Sequence, residues 1–155
     1  MKIFEDIKEF SESIPSTGSI LSIDYGKKKI GFAISSPERS MSLPLSLIEN
    51  KTKIAATEYI KSIIKSKNIC AIVIGMPVYL DGSESDTSKE VRKFAAIVLE
   101  HINLPIYLQD ERRTSKAADS LLAIAGFNRK ERNNMDDPVA ASLILDSVIS
   151  KLQNL

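Results

Sequence analysis

The chain has 155 residues, 43% of them hydrophobic and 26% charged, with a formal net charge of +1. That is one ordinary domain able to bury its own core, so no disulfide or structural metal is needed for folding. One cysteine, Cys70, and one histidine, His101, exclude a disulfide framework and a Cys/His zinc site within one chain. They fit a reducing cytoplasm, and no apolar run has the length of a membrane span.

In chain order, Met1 to Phe10 reads as a short amphipathic helix or arm, with Ile3, Phe4, Ile7 and Phe10 at helical spacing. It lacks the apolar stretch of a signal peptide. A Ser/Pro/Gly-rich loop from Ser11 to Ser19 sets it apart, so the expected division is an arm over 1–18 and a domain over 19–155. Ile20 to Ile23 and Ile30 to Ile34 read as a strand pair, with Asp24 to Lys29 as the turn between them. Leu43 to Ile48 is a third strand, in which Pro44 argues for a strand start or an edge position.

Lys53 to Lys67 puts Ile54, Tyr59, Ile60, Ile63 and Ile64 on a helical face. The β-branched run Ile69 to Ile74 is the pattern of a strand covered on both faces. Val78 to Ser88 is polar and glycine-containing, hence a loop. Ser88 to Ile102 is a helix, Leu104 to Leu108 a strand closed by Gln109 to Arg113, and Thr114 to Ala125 a third helix. Asn128 to Asn134 is a charged connection. Asp137 to Leu152 is the last helix, opened by acidic residues and Pro138. An antiparallel start followed by parallel crossovers predicts an α/β mixed sheet flanked by helices.

Acidic residues gather at element ends: Asp24 after the first strand, Asp110 and Glu111 at the last, Asp136 and Asp137 at the closing helix. Strand ends of an open α/β sheet are where ligands bind. Converging carboxylates repel one another, and hard divalent cations such as Mg²⁺ or Mn²⁺ relieve that repulsion. A metal pair can then activate water against a phosphodiester without a histidine base or a cysteine nucleophile. Acidic residues at strand and helix ends are usually solvated caps, and spacing alone favours that reading. Three basic clusters adjoin these acids: Lys27 to Lys29, Arg112-Arg113, and Arg129 to Arg132. They are candidates for phosphate contact, as against plain surface solvation. Asp81-Gly82 and Glu84 are open between a substrate-gating loop and a plain turn. With few aromatics and no Trp, a base-stacking sheet is not signalled.

Four blocks carry a resemblance to a known family. Leu21 to Ser35 is similar to an Asp-x-Gly-Thr-Lys-x-Ile-Gly-x-Ala hairpin. Ile72 to Ser83 is similar to a Val-Gly-x-Pro…Asp-Gly-Ser loop. Leu108 to Ser115 is similar to an Asp-Glu-Arg-Leu-Thr-Thr block. Asp137 to Leu145 is similar to an Asp-x-x-Ala-Ala-x-x-Ile-Leu helix. In order and with family spacing, they resemble the YqgF/RuvX family, the pre-16S ribosomal RNA nucleases once described as Holliday-junction-resolvase-like.

The resemblance implies a ribonuclease-H-like fold and metal-dependent hydrolysis of phosphodiesters in 5′ end maturation of pre-16S ribosomal RNA. It implies pre-ribosomal RNA as partner, with the small ribosomal subunit in view, and no membrane. The family's acids map onto Asp24, Glu111 and Asp137, as catalytic residues and as ligands of Mg²⁺ or Mn²⁺. Lys27, Lys29, Arg112 and Thr114 are the expected substrate contacts. Since neighbouring strand residues face opposite sides, Glu111 is expected in the site and Asp110 in a structural hydrogen bond. Lys27 replaces the family's Thr, Arg113 its Leu and Ser115 its Thr. Two alternatives stand beside this reading: a resolvase acting on branched DNA, and a non-catalytic RNA- or ribosome-binding assembly factor. An actin-like kinase is set aside, because it needs two such domains.

Overall fold

The computed structural model describes the backbone of residues 2–112 and 129–155, and the side chains of 2–112 and 139–155. Six strands form one sheet: β1 (Ile3–Phe4), β2 (Ser19–Tyr25), β3 (Lys29–Ser35), β4 (Ser42–Glu49), β5 (Ile69–Val78) and β6 (Ile106–Arg112). Among the described residues four helices accompany them: α1 (Ile7–Ser13), α2 (Lys53–Lys67), α3 (Asp86–His101) and α4 (Arg129–Gln153). The strand order is β1-β6-β5-β2-β3-β4. β2, β3 and β4 are antiparallel neighbours, while β5 runs parallel to β2, and β6 parallel to β5 and β1. The expected mixed sheet is thus present, with Pro44 on the edge strand β4, where a missing N–H is tolerated.

Alternation along the strands divides the core into two layers. Leu21, Ile23, Tyr25, Ile72 and Ile74 meet Ile60 of α2 and Phe94 and Val98 of α3 on one face. Ile20, Ala71, Val73 and Tyr107 meet Phe10 of α1 and Leu145 and Val148 of α4 on the other. β5 supplies both layers, which is why its sequence is an unbroken apolar run. Each fully buried Leu, Ile or Phe contributes about 1.5–3 kcal/mol of apolar transfer, so the two layers hold the helices in place.

Local signals set the helix ends. Thr52 caps α2 through Ala55 N at 3.0 Å, and Asn68, at φ 55°, closes it in the left-handed conformation. Ser85 and Ser88 cap α3 reciprocally, and the buried Ser88 hydroxyl also donates to the Pro77 carbonyl at the end of β5.

Two elements differ from the sequence reading. Ile3 and Phe4 form a strand parallel to β6, and only the residues from Ile7 are helical. Phe10 is fully buried against Tyr107, with ring centroids 5.1 Å apart. Apolar spacing in so short a segment fits either element, and an open β6 edge supplied the partner that decided it. The last helix is described over Arg129–Gln153, so residues 129–134 of the stretch expected as a charged connection are helical and Pro138 lies inside the helix. Arg, Lys and Glu are good helix formers, which charge patterning alone does not convey. The helix expected over Thr114 to Ala125 lies outside the described residues.

Candidate active site

Asp24 is the penultimate residue of β2. Its neighbours Ile23 and Tyr25 are buried in the α2/α3 layer, so Asp24 faces the opposite side, toward α4. Ser22, two residues earlier on the same face, donates its hydroxyl to Ala141 O of α4 at 2.8 Å. Asp24 is half-buried and is directly opposite Gly31 of β3.

Glu111 reaches the same face from β6. A Cβ built on Gly75 of β5 would lie 3.6 Å from Glu111 Cγ and 2.5 Å from Ile144 Cδ1 of α4. Glu111, Gly75 and α4 are therefore on one side of the sheet. In register, Ile74 pairs with Ile23, Gly75 with Gln109, and Pro77 with Glu111. Asp24 and Glu111 thus stand on strands separated only by β5, about 10 Å across the sheet. Glycines at 31 and 75 flank Asp24 on β3 and β5, so neither adjoining strand projects a side chain beside the carboxylate on this face.

Helix α4 crosses above. Ala141 contacts Ser22, and residue 137 is one turn earlier along the helix. The side chain of Asp137 lies outside the described residues, as does Thr114. Among the described residues no group of three or more His, Cys, Asp or Glu side chains could hold a metal ion. Asp24 and Glu111 are two oxygen donors of the kind hard divalent cations take, so the described pair fits part of such a site.

Asp110 points to the other face and pairs with Arg112 Nε at 3.5 Å, both about half-exposed. The parity argument separating Glu111 from Asp110 therefore agrees with their placement on opposite faces. Arg112 also donates through Nη1 to Leu80 O at 2.8 Å. It braces the turn after β5, an alternative partner set to the expected substrate.

Lys27 and Lys29 are exposed. Lys27 sits in the turn beyond Asp24, which Asn50 closes through Lys28 O and Gly26 O, each at 2.8 Å. Gly26 is required there by close approach, because a Cβ would lie 2.6 Å from Lys29 O. Lys29 is two residues before Gly31, the partner of Asp24, so it shares the Asp24 face, with Glu49 opposite it on β4.

The turn after β5 is built rather than loose. Tyr79 N–H donates to Ser83 O at 3.0 Å and Gly82 N–H to Tyr79 O at 2.8 Å. Asp81 accepts from both the backbone and the hydroxyl of Ser83. Arg92 of α3 binds Glu84 at 2.7 Å and Glu5, just after β1, at 2.9 Å. The Arg92 hydrogen bond holds the Glu84 carboxyl below the usual range, and the Glu84 hydrogen bond raises the Arg92 pKa. Arg92 was not singled out from the sequence, since a lone arginine on a helix carries no signal. Gly75 and Ser22 were also missed as site-forming residues. Gly75 could have been noticed, because a glycine ending a buried strand marks close approach.

Comparisons with known proteins bear on the family and the fold. The sequence profile of the family described as RuvX, Holliday junction resolvase, matches residues 18–151. A protein of Rickettsia bellii (strain OSU 85-389), described as a proposed pre-16S rRNA nuclease, is 44% identical over 153 residues, 99% of each chain. One from Rickettsia conorii (strain ATCC VR-613 / Malish 7), with the same description, is 41% identical over 99% of each chain. Among solved structures, Thermus thermophilus RuvC in complex with Holliday junction substrate aligns with TM-score 0.52 and 11% identity, covering 88% of this chain and 96% of that one. Fowlpox virus resolvase with Holliday junction DNA aligns with TM-score 0.50 and 13% identity, covering 86% and 98%. At such identities the structural likeness establishes the fold, which is ribonuclease-H-like.

Proposed function

The chain belongs to the RuvX family of nucleases, and from that premise we propose that it is a metal-dependent nuclease that trims the 5′ end of pre-16S ribosomal RNA. The observation that carries this reading is the placement of Asp24 and Glu111 on one face of the sheet, with no side chain projecting from β5 at Gly75 between them. Its 41–44% identical relatives, described as proposed pre-16S rRNA nucleases over 99% of their length, favour ribosomal RNA over branched DNA as substrate.

Asp24, Glu111 and Asp137 would hold Mg²⁺ or Mn²⁺, which when bound supplies charge for the phosphodiester and lowers the pKa of water. The chain's own residues do the rest. β2 and β6 fix the two carboxylates on a rigid sheet, a precise way to hold a reacting group. Ser22 seats α4 against β2. Lys27 and Lys29 place exposed cations beyond Asp24, where a phosphate backbone would pass, Arg112 adds one at the end of β6, and Thr114 completes the proposed substrate contacts. We place this activity in the cytoplasm, alongside the small ribosomal subunit. Among the described residues no helix is long and apolar enough to cross a membrane.

The test is cleavage of a precursor-end RNA, a single strand and a four-way DNA junction with Mg²⁺ or Mn²⁺. Asp24→Asn and Glu111→Gln should each lower the rate at least about 100-fold while the far-UV spectrum is unchanged. Equal behaviour of wild type and Asp24→Asn on every substrate would remove the catalytic reading and leave a binding factor. Preferential cutting of the junction would replace ribosomal RNA by branched DNA.

A further inference from the structure

Two large apolar side chains stand in solvent beside the candidate site: Tyr79 is 56% exposed and Leu80 63% exposed. We propose that Tyr79 and Leu80 form a stacking platform for an unpaired base, so that the site takes single-stranded nucleic acid. This rests on the nuclease reading and names its substrate class.

The exposure is built into the backbone. Tyr79 to Gly82 is a closed turn, with the Gly82 N–H on Tyr79 O at 2.8 Å and Gly82 at φ 85°. Arg112 grips the Leu80 carbonyl from β6 at 2.8 Å, and the Glu84–Arg92 pair holds the far end. A loose loop could fold such side chains onto the core; this one is pinned with them outward.

The place is also right. Pro77 is the register partner of Glu111, and Tyr79 follows two residues later, at most about 7 Å along the chain. Within the turn Asp81 is tied to the backbone and hydroxyl of Ser83. Arg112, bound to Leu80 O, keeps a cation beside the turn for the phosphate of the bound nucleotide, while the exposed ring offers its face to the base. Bases within a duplex are covered by their neighbours, whereas an unstacked base offers a face to an aromatic ring in any sequence.

Equilibrium binding tests this without cleavage. In the full-length chain carrying Asp24→Asn, with Mg²⁺, anisotropy of labelled single-stranded RNA, single-stranded DNA and a matched duplex is measured. Adding Tyr79→Ala should weaken single-strand binding roughly 5- to 100-fold and leave duplex binding unchanged. Tyr79→Phe should retain the affinity, and Leu80→Ala should lose less than Tyr79→Ala. The two single-strand arms distinguish RNA from DNA as the bound form. Unchanged single-strand affinity in Tyr79→Ala, an equal loss on the duplex, or no single-strand binding by the parent overturns the proposal. Wild-type cleavage is scored separately: a chain that binds in the expected pattern but cuts nothing keeps the platform and loses the nuclease reading.

Discussion

Gly75 lies beneath Glu111: a Cβ at Gly75 would stand 3.6 Å from Glu111 Cγ, and only 2.5 Å from Ile144 Cδ1. The glycine lets helix α4 close onto the sheet while the carboxylate keeps its place. Gly75→Ala should therefore overpack the contact with Ile144 and cost about 1–3 kcal/mol in urea unfolding. Ile144→Val removes the Cδ1 atom that clashes. The double variant should be more stable than Gly75→Ala alone, and a double variant as unstable as the sum of the single changes would show that the clash is elsewhere.

Ser22 ties the same helix to β2 through its fully buried hydroxyl on Ala141 O. Ser22→Ala should cost about 0.5–1.5 kcal/mol of stability. Because Ala141 is one turn from residue 137, the seat of the helix would also set the proposed place of Asp137. Turnover should fall roughly tenfold, more than the stability loss explains at temperatures where the variant is folded. Steady-state kinetics beside a melting curve separates the two effects.

The acid limb of stability should involve Glu84. Its carboxyl is held below its ordinary value of 4.5 by the Arg92 hydrogen bond. A lowered folded-state pKa means that the unfolded chain binds more protons in that window. The contribution is complete above pH 4.5 and is lost as pH falls through the folded value. Arg92, raised by the same contact, stays charged throughout and adds no slope there. Glu84→Gln should flatten the fall of melting temperature between about pH 5 and pH 3, measured by scanning fluorimetry. An unchanged acid limb would mean that Glu84 is not one of the responsible groups.

Divalent metal should stabilise the chain through its carboxylates. At a free Mg²⁺ or Mn²⁺ concentration a hundredfold above Kd, binding to the folded state adds about 2.7 kcal/mol. For a chain of this size that raises the melting temperature by roughly 5–10 °C. Asp24→Asn should lose most of this shift, and EDTA should abolish both the shift and cleavage in wild type. Equal shifts in wild type and variant would place the ion away from Asp24.

Much of the fold is legible along the chain because its elements have strong local signals. The α2 boundaries follow from Thr52 as cap, the apolar face through Ile60 and Ile63, and Asn68 as stop. The two-sided strand β5 follows from its unbroken apolar run, and the opposite facing of Asp110 and Glu111 follows from the two-residue period of a strand. The signals fail where a partner distant in sequence decides. Ile3 and Phe4 become a strand only because β6 offers an open edge. Arg112 is legible as a basic residue able to pair with a carboxylate, as it does with Asp110, whereas its bond to Leu80 O depends on the turn after β5.

The sequence by itself determined the family, because four motif blocks lie in order along it, and it marked acids at strand and helix ends as the candidate site residues. Only the tertiary structure decided that Asp24 and Glu111 share a face, since that depends on the strand order β6-β5-β2 and on parallel register across 87 residues of chain. It also decided that Ile144 of α4 packs where a side chain at Gly75 would stand and that Tyr79 and Leu80 are held in solvent. Local composition encodes what a segment prefers; which segments become neighbours is settled by burial of both sheet faces at once, and no single segment carries that information.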